Sequence, residues 1–409
     1  MRRRLKIISN RLIIWLLMCP ACLAAQTPWG ESPLRNDDGS VTFVLESPES
    51  RNVRISCDCA LRDGKSHIER ESLRSARMRA DSNGRFSYTT PPLAPEIYTY
   101  RFKVRGQNVV DPANADSIRI GHGRRSVFIV PGSSVSDLCL ADSLAGRTEM
   151  CEFWDSVSGK TRRMVTYLPP EYDCTGQGYP VLYLLHGING NEQAWNDRGR
   201  AIQMVDKLIR QGKAEPMIVV MPDANPRKLI GQNEKVGIMK NLFHYAAWFH
   251  HDFERVFPQL DQFLATRYRL SSDANMRAVA GLSAGANQAI TLAQIYEDNF
   301  RYVGAFSPIV HRKQLITKSN SVFWIGTGKM DIFHFQSKRF ARNLRRNQVT
   351  YVYHATKGGH TWRNWRAYLS EFMQFIFCEP TSSPATTPQI PRTGPSATSA
   401  RSWPSRSFS

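Results

Sequence analysis

No phosphate-cradling glycine loop and no nicotinamide fingerprint occurs in this chain, which removes the usual signatures of nucleotide and dinucleotide cofactors. Cysteine is sparse, 8 in 409 residues, and the tightest pair, Cys57-x-Cys59, has neither a histidine nor a second pair in register. A zinc site is therefore excluded, and no cofactor or metal is expected. His244, His250 and His251 surround Trp248, but not at the spacing of a His-Glu-x-x-His metal helix. They read as the polar face of a helix expected from about 245 to 268. Acidic residues are also short, 35 against 54 Lys and Arg, for a net charge of +19. Five of the positive charges fall in the first eleven residues, so the rest of the chain carries about +14 and favours anionic surfaces or substrates. No finger, helix-turn-helix or aromatic–basic motif accompanies that charge, and Arg339 to Arg346 read as one solvated helix face. Nucleic acid is not an expected partner. Apolar runs long enough to cross a bilayer are missing, so no transmembrane span is expected in the mature chain.

The start of the chain has its own texture. Met1-Arg2-Arg3-Arg4-Leu5-Lys6 leads into an apolar run from Leu12 to Leu23 and then Ala24-Ala25-Gln26. A basic start, a short apolar core and small residues make a secretory signal peptide over 1–25. Export to the periplasm or the medium follows as an expectation. Lipid attachment at Cys19 or Cys22 is the lesser alternative, since Met18 and Ala21 give an imperfect context. Six cysteines then remain, an even number that permits disulfides in an exported protein. Cys139 and Cys151 would close a short loop. Cys57 and Cys59, alternate residues on one strand face, are poorly placed to pair with each other.

From 26 to 132 the pattern is of short alternating runs, among them Val41 to Leu45, Asn52 to Ser56, Arg85 to Thr90, Tyr98 to Val104 and Ser126 to Val130. Turns rich in Asp, Asn, Gly and Pro separate them, which predicts a small all-β sandwich. Tyr88, Tyr98, Tyr100 and Phe102 are read as core and cross-strand residues in preference to a sugar-binding platform. Residues 133–150 read as a linker, 151–378 as a catalytic domain, and 379–409 as a disordered tail of Ser, Thr, Pro and Arg.

Within 151–378 one run stands out. Arg277-Ala278-Val279-Ala280-Gly281-Leu282-Ser283-Ala284-Gly285 is an apolar strand feeding Gly-x-Ser-x-Gly, and a helix-forming run leaves it. That is the pattern of a nucleophile elbow, in which small residues let the strand turn sharply and lift a serine hydroxyl above a sheet. A serine needs a base and an orienting acid, and in α/β-hydrolases the acid follows the nucleophile and the histidine comes last. The strand Ser321 to Thr327 ends in Gly328-Lys329-Met330-Asp331, and the strand Val349 to Thr356 ends in Gly358-Gly359-His360. Both groups fall past strand carboxyl ends, where open α/β sheets place their chemistry. Ser283, Asp331 and His360 are the catalytic candidates. His354 lies inside a strand, His311 and His334 lack a glycine hinge, and Asp298 follows the elbow helix too closely. Backbone N–H groups of Ala284 and of Ile188, in the loop His186-Gly187-Ile188 after the strand Val181 to Leu185, are the candidate oxyanion donors. His186 reads as a brace for that loop.

These motifs, with Met221-Pro222-Asp223-Ala224-Asn225, Tyr268-Arg269-Leu270 and Phe306-Ser307, resemble the putative-esterase family over roughly 145–378. That family joins feruloyl and acetyl-xylan esterases of carbohydrate esterase family one with enterochelin esterases and mycolyltransferases. One departure is Gly285-Ala286, where Gly-Gly is expected. Pro91-Pro92-Leu93 and Asp111-Pro112-Ala113-Asn114 resemble the immunoglobulin-like early-set domain that often precedes such enzymes. The resemblance implies an α/β-hydrolase domain behind a small immunoglobulin-like sandwich, with Ser283, Asp331 and His360 as its triad. The expected function is an exported serine carboxylic-ester hydrolase removing feruloyl or acetyl groups from plant polysaccharide or oligosaccharide. Trp195 and Trp362 are the candidate aromatic walls for that substrate. The alternatives are an enterochelin-type siderophore esterase, suited by the positive charge, and a non-catalytic carbohydrate-binding protein on a hydrolase scaffold.

Overall fold

The computed structural model describes residues 32–60, 75–120, 123–140, 143–174, 176, 178–226, 230, 252–310, 316 and 318–378. The signal peptide and tail expected at the two ends, the histidines around Trp248 and His311 lie outside the described residues.

Ten strands come first: β1 (Leu34–Arg35), β2 (Val41–Glu46), β3 (Val53–Cys57), β4 (Ser75–Arg77), β5 (Arg79–Ala80), β6 (Arg85–Thr89), β7 (Glu96–Val104), β8 (Gln107–Val109), β9 (Ser117–Ile120) and β10 (Gly123–Val130). They form two antiparallel sheets, β1-β2-β6-β5 and β4-β3-β7-β10-β9, with β8 added to β7. Strands β2 and β3 bury alternate residues, Val41, Phe43 and Leu45 in one and Val53, Ile55 and Cys57 in the other. Period-two patterning thus gives each sheet one inward face. Phe43 meets Tyr100 at 4.6 Å and Phe128 at 5.4 Å between ring centroids, joining the sheets through an aromatic core. Tyr98, Tyr100 and Phe102 are buried in that core and Tyr88 packs against it, as their alternation predicted.

Two cysteine expectations fail. Cys57 and Cys59 form a disulfide with Cα atoms 5.2 Å apart. The strand stops at Cys57 and a 3₁₀ turn over Asp58–Ala60 folds the chain back. Two residues of extended strand would span about 6.6 Å. Cys139 and Cys151 are unpaired and buried, Cys151 Sγ lying 2.9 Å from Tyr268 Oη. Nor are residues 133–150 a bare linker. They hold helix α1 (Ser134–Leu138), closed by a Ser133/Ser136 capping box, and the first residues of β11 (Arg147–Asp155).

After β11 come β12 (Lys160–Leu168), β13 (Val181–Leu185), α2 (Ala194–Asp197), α3 (Ala201–Arg210), β14 (Ile218–Pro222), α4 (Asp252–Arg267), β15 (Arg277–Leu282), α5 (Ala284–Ile295), β16 (Tyr302–Phe306), β17 (Val322–Gly328), α6 (His334–Arg346), β18 (Tyr351–Thr356) and α7 (Trp362–Phe375). Eight strands make one sheet, ordered β11-β12-β14-β13-β15-β16-β17-β18. Only β12 runs against the others: it pairs antiparallel with β11 on one side and β14 on the other, and the six strands from β14 to β18 in sheet order pair in parallel. Strands β13, β14, β15 and β17 are buried at every residue, as a parallel sheet covered on both faces requires. Helices α4, α5 and α6 pack on one face, and α3 and α7 on the other. Ile97, Ile118 and Val127 of the sandwich join this second layer, so the β-rich part is seated on the large sheet. Strand order reverses between β13 and β15, and the crevice at such a switch point is where open α/β sheets bind ligands.

Candidate active site

Ser283 is the single residue between β15 and α5, with φ +55° and ψ −114°. Non-glycine residues pay for such a backbone and keep it where the surroundings demand it. Here the demand is close packing. A Cβ on Gly281 would sit 2.5 Å from the carbonyl carbon of Gly285, and one on Gly285 would sit 2.3 Å from the carbonyl oxygen of His186. The Ser283 N–H donates to Phe306 O at 2.8 Å, which pins the corner to the neighbouring strand. Ala286 is fully buried on α5, so the departure from Gly-Gly is absorbed by helix packing.

The loops after β17 and β18 bring the other two groups to this corner. His360 Nε2 lies 3.0 Å from Ser283 Oγ, and His360 Nδ1 lies 3.2 and 3.1 Å from the two carboxylate oxygens of Asp331. The imidazole stands edge-on between Phe333 and Trp365, at 5.2 and 4.8 Å between centroids. Burial by itself would raise the pKa of Asp331. The His360 hydrogen bond and charge, a bond from the Ser307 hydroxyl and the Phe333 N–H at 2.8 Å outweigh it and hold the carboxyl below its ordinary value. Asp331 is therefore ionised at neutral pH and fixes the proton on Nδ1, leaving Nε2 as the acceptor facing the serine. Such a chain can draw the proton from a hydroxyl as that oxygen attacks a carbonyl carbon.

Ser307 is a site residue whose role the sequence reading did not assign. It follows β16 at φ +53°, its N–H donates to Gly326 O at 2.7 Å, and its hydroxyl accepts from Trp365 Nε1 at 3.0 Å. The available signal was its place, one residue past a buried strand on the same rim as Ser283.

The second wall follows β13. Gly187 lies against the serine: a Cβ there would be 3.3 Å from Ser283 Cβ and 2.6 Å from Leu282 Cδ1. Ile188 and Phe333 pack on Ala284 and Ile309, an apolar wall beside the hydroxyl. Ala284, the first residue of α5, and Ile188 thus both border Ser283. His186 is the expected brace. Its Nε2 accepts from the Ala224 N–H at 3.1 Å and its Nδ1 lies 2.8 Å from Gly187 O, so the network assigns a neutral ring with its proton on Nδ1. The 223–225 loop is held in turn by the fully buried Arg162, whose Nη1 donates to Asp223 O and Asn225 O, both at 2.7 Å, while Nε pairs with Asp155 at 2.7 Å.

The rival histidines take other parts. His354 pairs with Glu371 at 2.9 Å and packs tilted against Trp324, and the ring of His334 packs on Phe335. Trp195 and Trp362, expected as substrate walls, are core residues instead. They are 1% and 5% exposed, pack on each other at 5.2 Å, and Trp195 Nε1 donates to Leu185 O. Both lie on the α3–α7 side of the sheet, where burial competes with display and wins.

Residues 156–331 match the family described as "Putative esterase". The chain is 27% identical over 309 residues to an endo-1,4-beta-xylanase/feruloyl esterase of Xylanibacter ruminicola, covering 74% of this chain and 39% of that protein. It thus spans well under half the length of that relative. Its fold is similar to that of the enterobactin esterase of Shigella flexneri, with 15% identity, a TM-score of 0.57 and coverage of 82% of this chain and 92% of the other. The ferric enterobactin esterase of Salmonella typhimurium gives 17% identity, a TM-score of 0.55 and coverage of 83% and 94%. The family match and the relative are those of esterases, and the solved structures share the fold.

Proposed function

We propose that this protein is an exported serine esterase acting on acylated plant polysaccharide or oligosaccharide. The observation that carries the reading is the hydrogen-bonded chain Ser283–His360–Asp331 at the switch point of the sheet. Ser283 Oγ attacks the ester carbonyl carbon while its proton passes to His360 Nε2, and Asp331 stabilises the imidazolium that forms. The N–H groups of Ala284 and Ile188 receive the developing oxyanion. Collapse of the tetrahedral intermediate breaks the bond to the alcohol, which leaves with the proton from His360. Water, deprotonated by His360, then releases the acid from the acyl-enzyme. Feruloyl esters are favoured by the name of the Xylanibacter relative, with acetyl esters as the other candidate acyl group. The N-terminal sandwich stands as the counterpart of the early-set domain of such esterases, and export follows from the basic and apolar start of the chain.

A second reading is hydrolysis of a catecholate trilactone siderophore, favoured by the net charge of +19 and by a fold shared across 82% of the chain with an enterobactin esterase. A panel of methyl ferulate, acetylated xylo-oligosaccharide and catecholate trilactone separates the two. Preference for either of the first two by at least tenfold in kcat/KM is expected. Preference for the trilactone would overturn the polysaccharide assignment.

A further inference from the structure

Strand β11 is the outer strand of the large sheet, and its outward residues are not those of an ordinary edge. Cys151, Phe153 and Asp155 are buried, while between and beside them Trp154 is 62% exposed and Met150 51% exposed. Single exposed apolar residues are common, but a largely uncovered tryptophan is the costliest side chain to leave in water. Its indole is also held on a rigid base. The next residue, Asp155, forms the buried ion pair with Arg162 and accepts the backbone N–H groups of Val157 and Ser158 at 2.9 Å, fixing the β11–β12 hairpin.

The strand register locates this indole. Trp154 is paired with Thr161, and Glu152 with Arg163, so these four residues share one face. Arg163 in turn meets Glu192, six residues beyond His186, at 3.0 Å. Met164 is opposite Pro222, and the parallel ladders run from β14 through β13 to Gly281 of β15. Thr161 lies three residues beyond Met164, and Ser283 two residues beyond Gly281. Trp154 and Ser283 therefore reach the same rim, within about one residue's rise. Four strand intervals, β11-β12-β14-β13-β15, separate them, which is about 19 Å of sheet.

We propose that Trp154 is a docking platform for sugar rings of the polysaccharide whose ester is cut at Ser283. This rests on the esterase reading and adds to it a second site on the same rim. The apolar C–H face of a pyranose or furanose stacks on the indole, and Glu152, Thr161 and Arg163 supply acceptors and donors for the ring-edge hydroxyls. The separation from Ser283 is that of a short run of sugar units, so one glycan chain reaches both places. Affinity for the chain then rises through effective concentration without any change at the reacting atoms. A second copy of this protein is the poorer occupant. Arg147, Glu149 and Glu152 place charge along the edge, which opposes strand pairing. The partly exposed Met150, Trp154 and Val157 offer far less than the ~800 Å² per partner that a stable dimer buries.

The test compares wild type, Trp154→Ala and Trp154→Phe in native affinity gels containing ester-free arabinoxylan, with methyl ferulate kinetics and light scattering on the same preparations. Wild-type retardation, at least fivefold weaker binding by Trp154→Ala, partial recovery in Trp154→Phe and methyl ferulate kcat/KM equal within twofold are expected. Absent wild-type binding, or equal binding by Trp154→Ala, would overturn the proposal, as would a wild-type dimer that Trp154→Ala makes monomeric. A wild type inactive on every ester that still binds arabinoxylan through Trp154 would sink the esterase reading and leave the platform standing.

Discussion

Asp331 shows how a single residue is tuned by opposing terms. Burial pushes its pKa up, and four donors and charges (His360 foremost) bring it below the ordinary carboxylate value. Replacing it with Asn keeps the shape, removes the charge and lets the imidazole take the wrong tautomer. Asp331→Asn should lower kcat about 10³- to 10⁴-fold on an aryl ester. KM should change little, because the substrate-binding surface is untouched; steady-state kinetics check both. Equal turnover would move the acid elsewhere. Ser283, Asp331 and His360 could be read from sequence because each sits at a punctuated strand end, and punctuation is local. Trp195 and Trp362 could not, since whether a tryptophan lines a cleft or fills a core depends on which sheet face its helix covers. The Cys57–Cys59 pair was misread for a related reason: an alternating pattern does not announce where the strand stops and a turn begins.

At the scale of elements, the junction of β15 and α5 has no spare room. A Cβ at Gly285 would meet both Leu185 O and His186 O below 3 Å, so the end of β13 must move to admit it. Gly285→Ala should cost about 1–3 kcal/mol of stability, the range for overpacking a dense interior. Activity should fall with it, because Ser283 and His186 are held by the same contact. Thermal unfolding and aryl ester turnover measure the two effects, and an unaltered Tm would contradict the packing account. The elements themselves follow from patterning: all-apolar runs for the parallel strands, alternating runs for the sandwich. The short helix α1 was missed because its five residues are too few to show a period, and its capping box is spelled with Ser at both ends.

Over the whole molecule, the sandwich is tied to the helix that follows His360. Glu96 of β7 accepts from Arg366 Nη2 at 2.6 Å and from Arg363 Nε at 2.7 Å, both on α7. Burial alone would raise the pKa of Glu96, and the two arginines with the Ile97 N–H lower it on balance. A carboxylate depressed on folding adds stability above its unfolded pKa of about 4.3, and that contribution is lost as pH falls through the folded value. Glu96→Ala should therefore cost about 3 kcal/mol at pH 7, because it removes the carboxylate that faces the buried Arg366 guanidinium. The gap from wild type should narrow as pH falls below about 4.3 and through the lowered folded value, as denaturant unfolding across pH would record; a gap independent of pH would show that packing, not charge, joins the two parts. No sequence pattern marks this pair, whose members are 270 residues apart. The whole arrangement converges on one hydroxyl, and the most direct test of the account is to ask whether that oxygen is activated. Wild type, Ser283→Ala and His360→Ala would be treated with an aryl phosphonate, in which a serine oxygen forms the P–O bond and the phenolate leaves. The labelled peptide would then be read by mass spectrometry. The account predicts one label per chain, on Ser283, in wild type alone; a label on another residue, or none on a folded wild type, would contradict it.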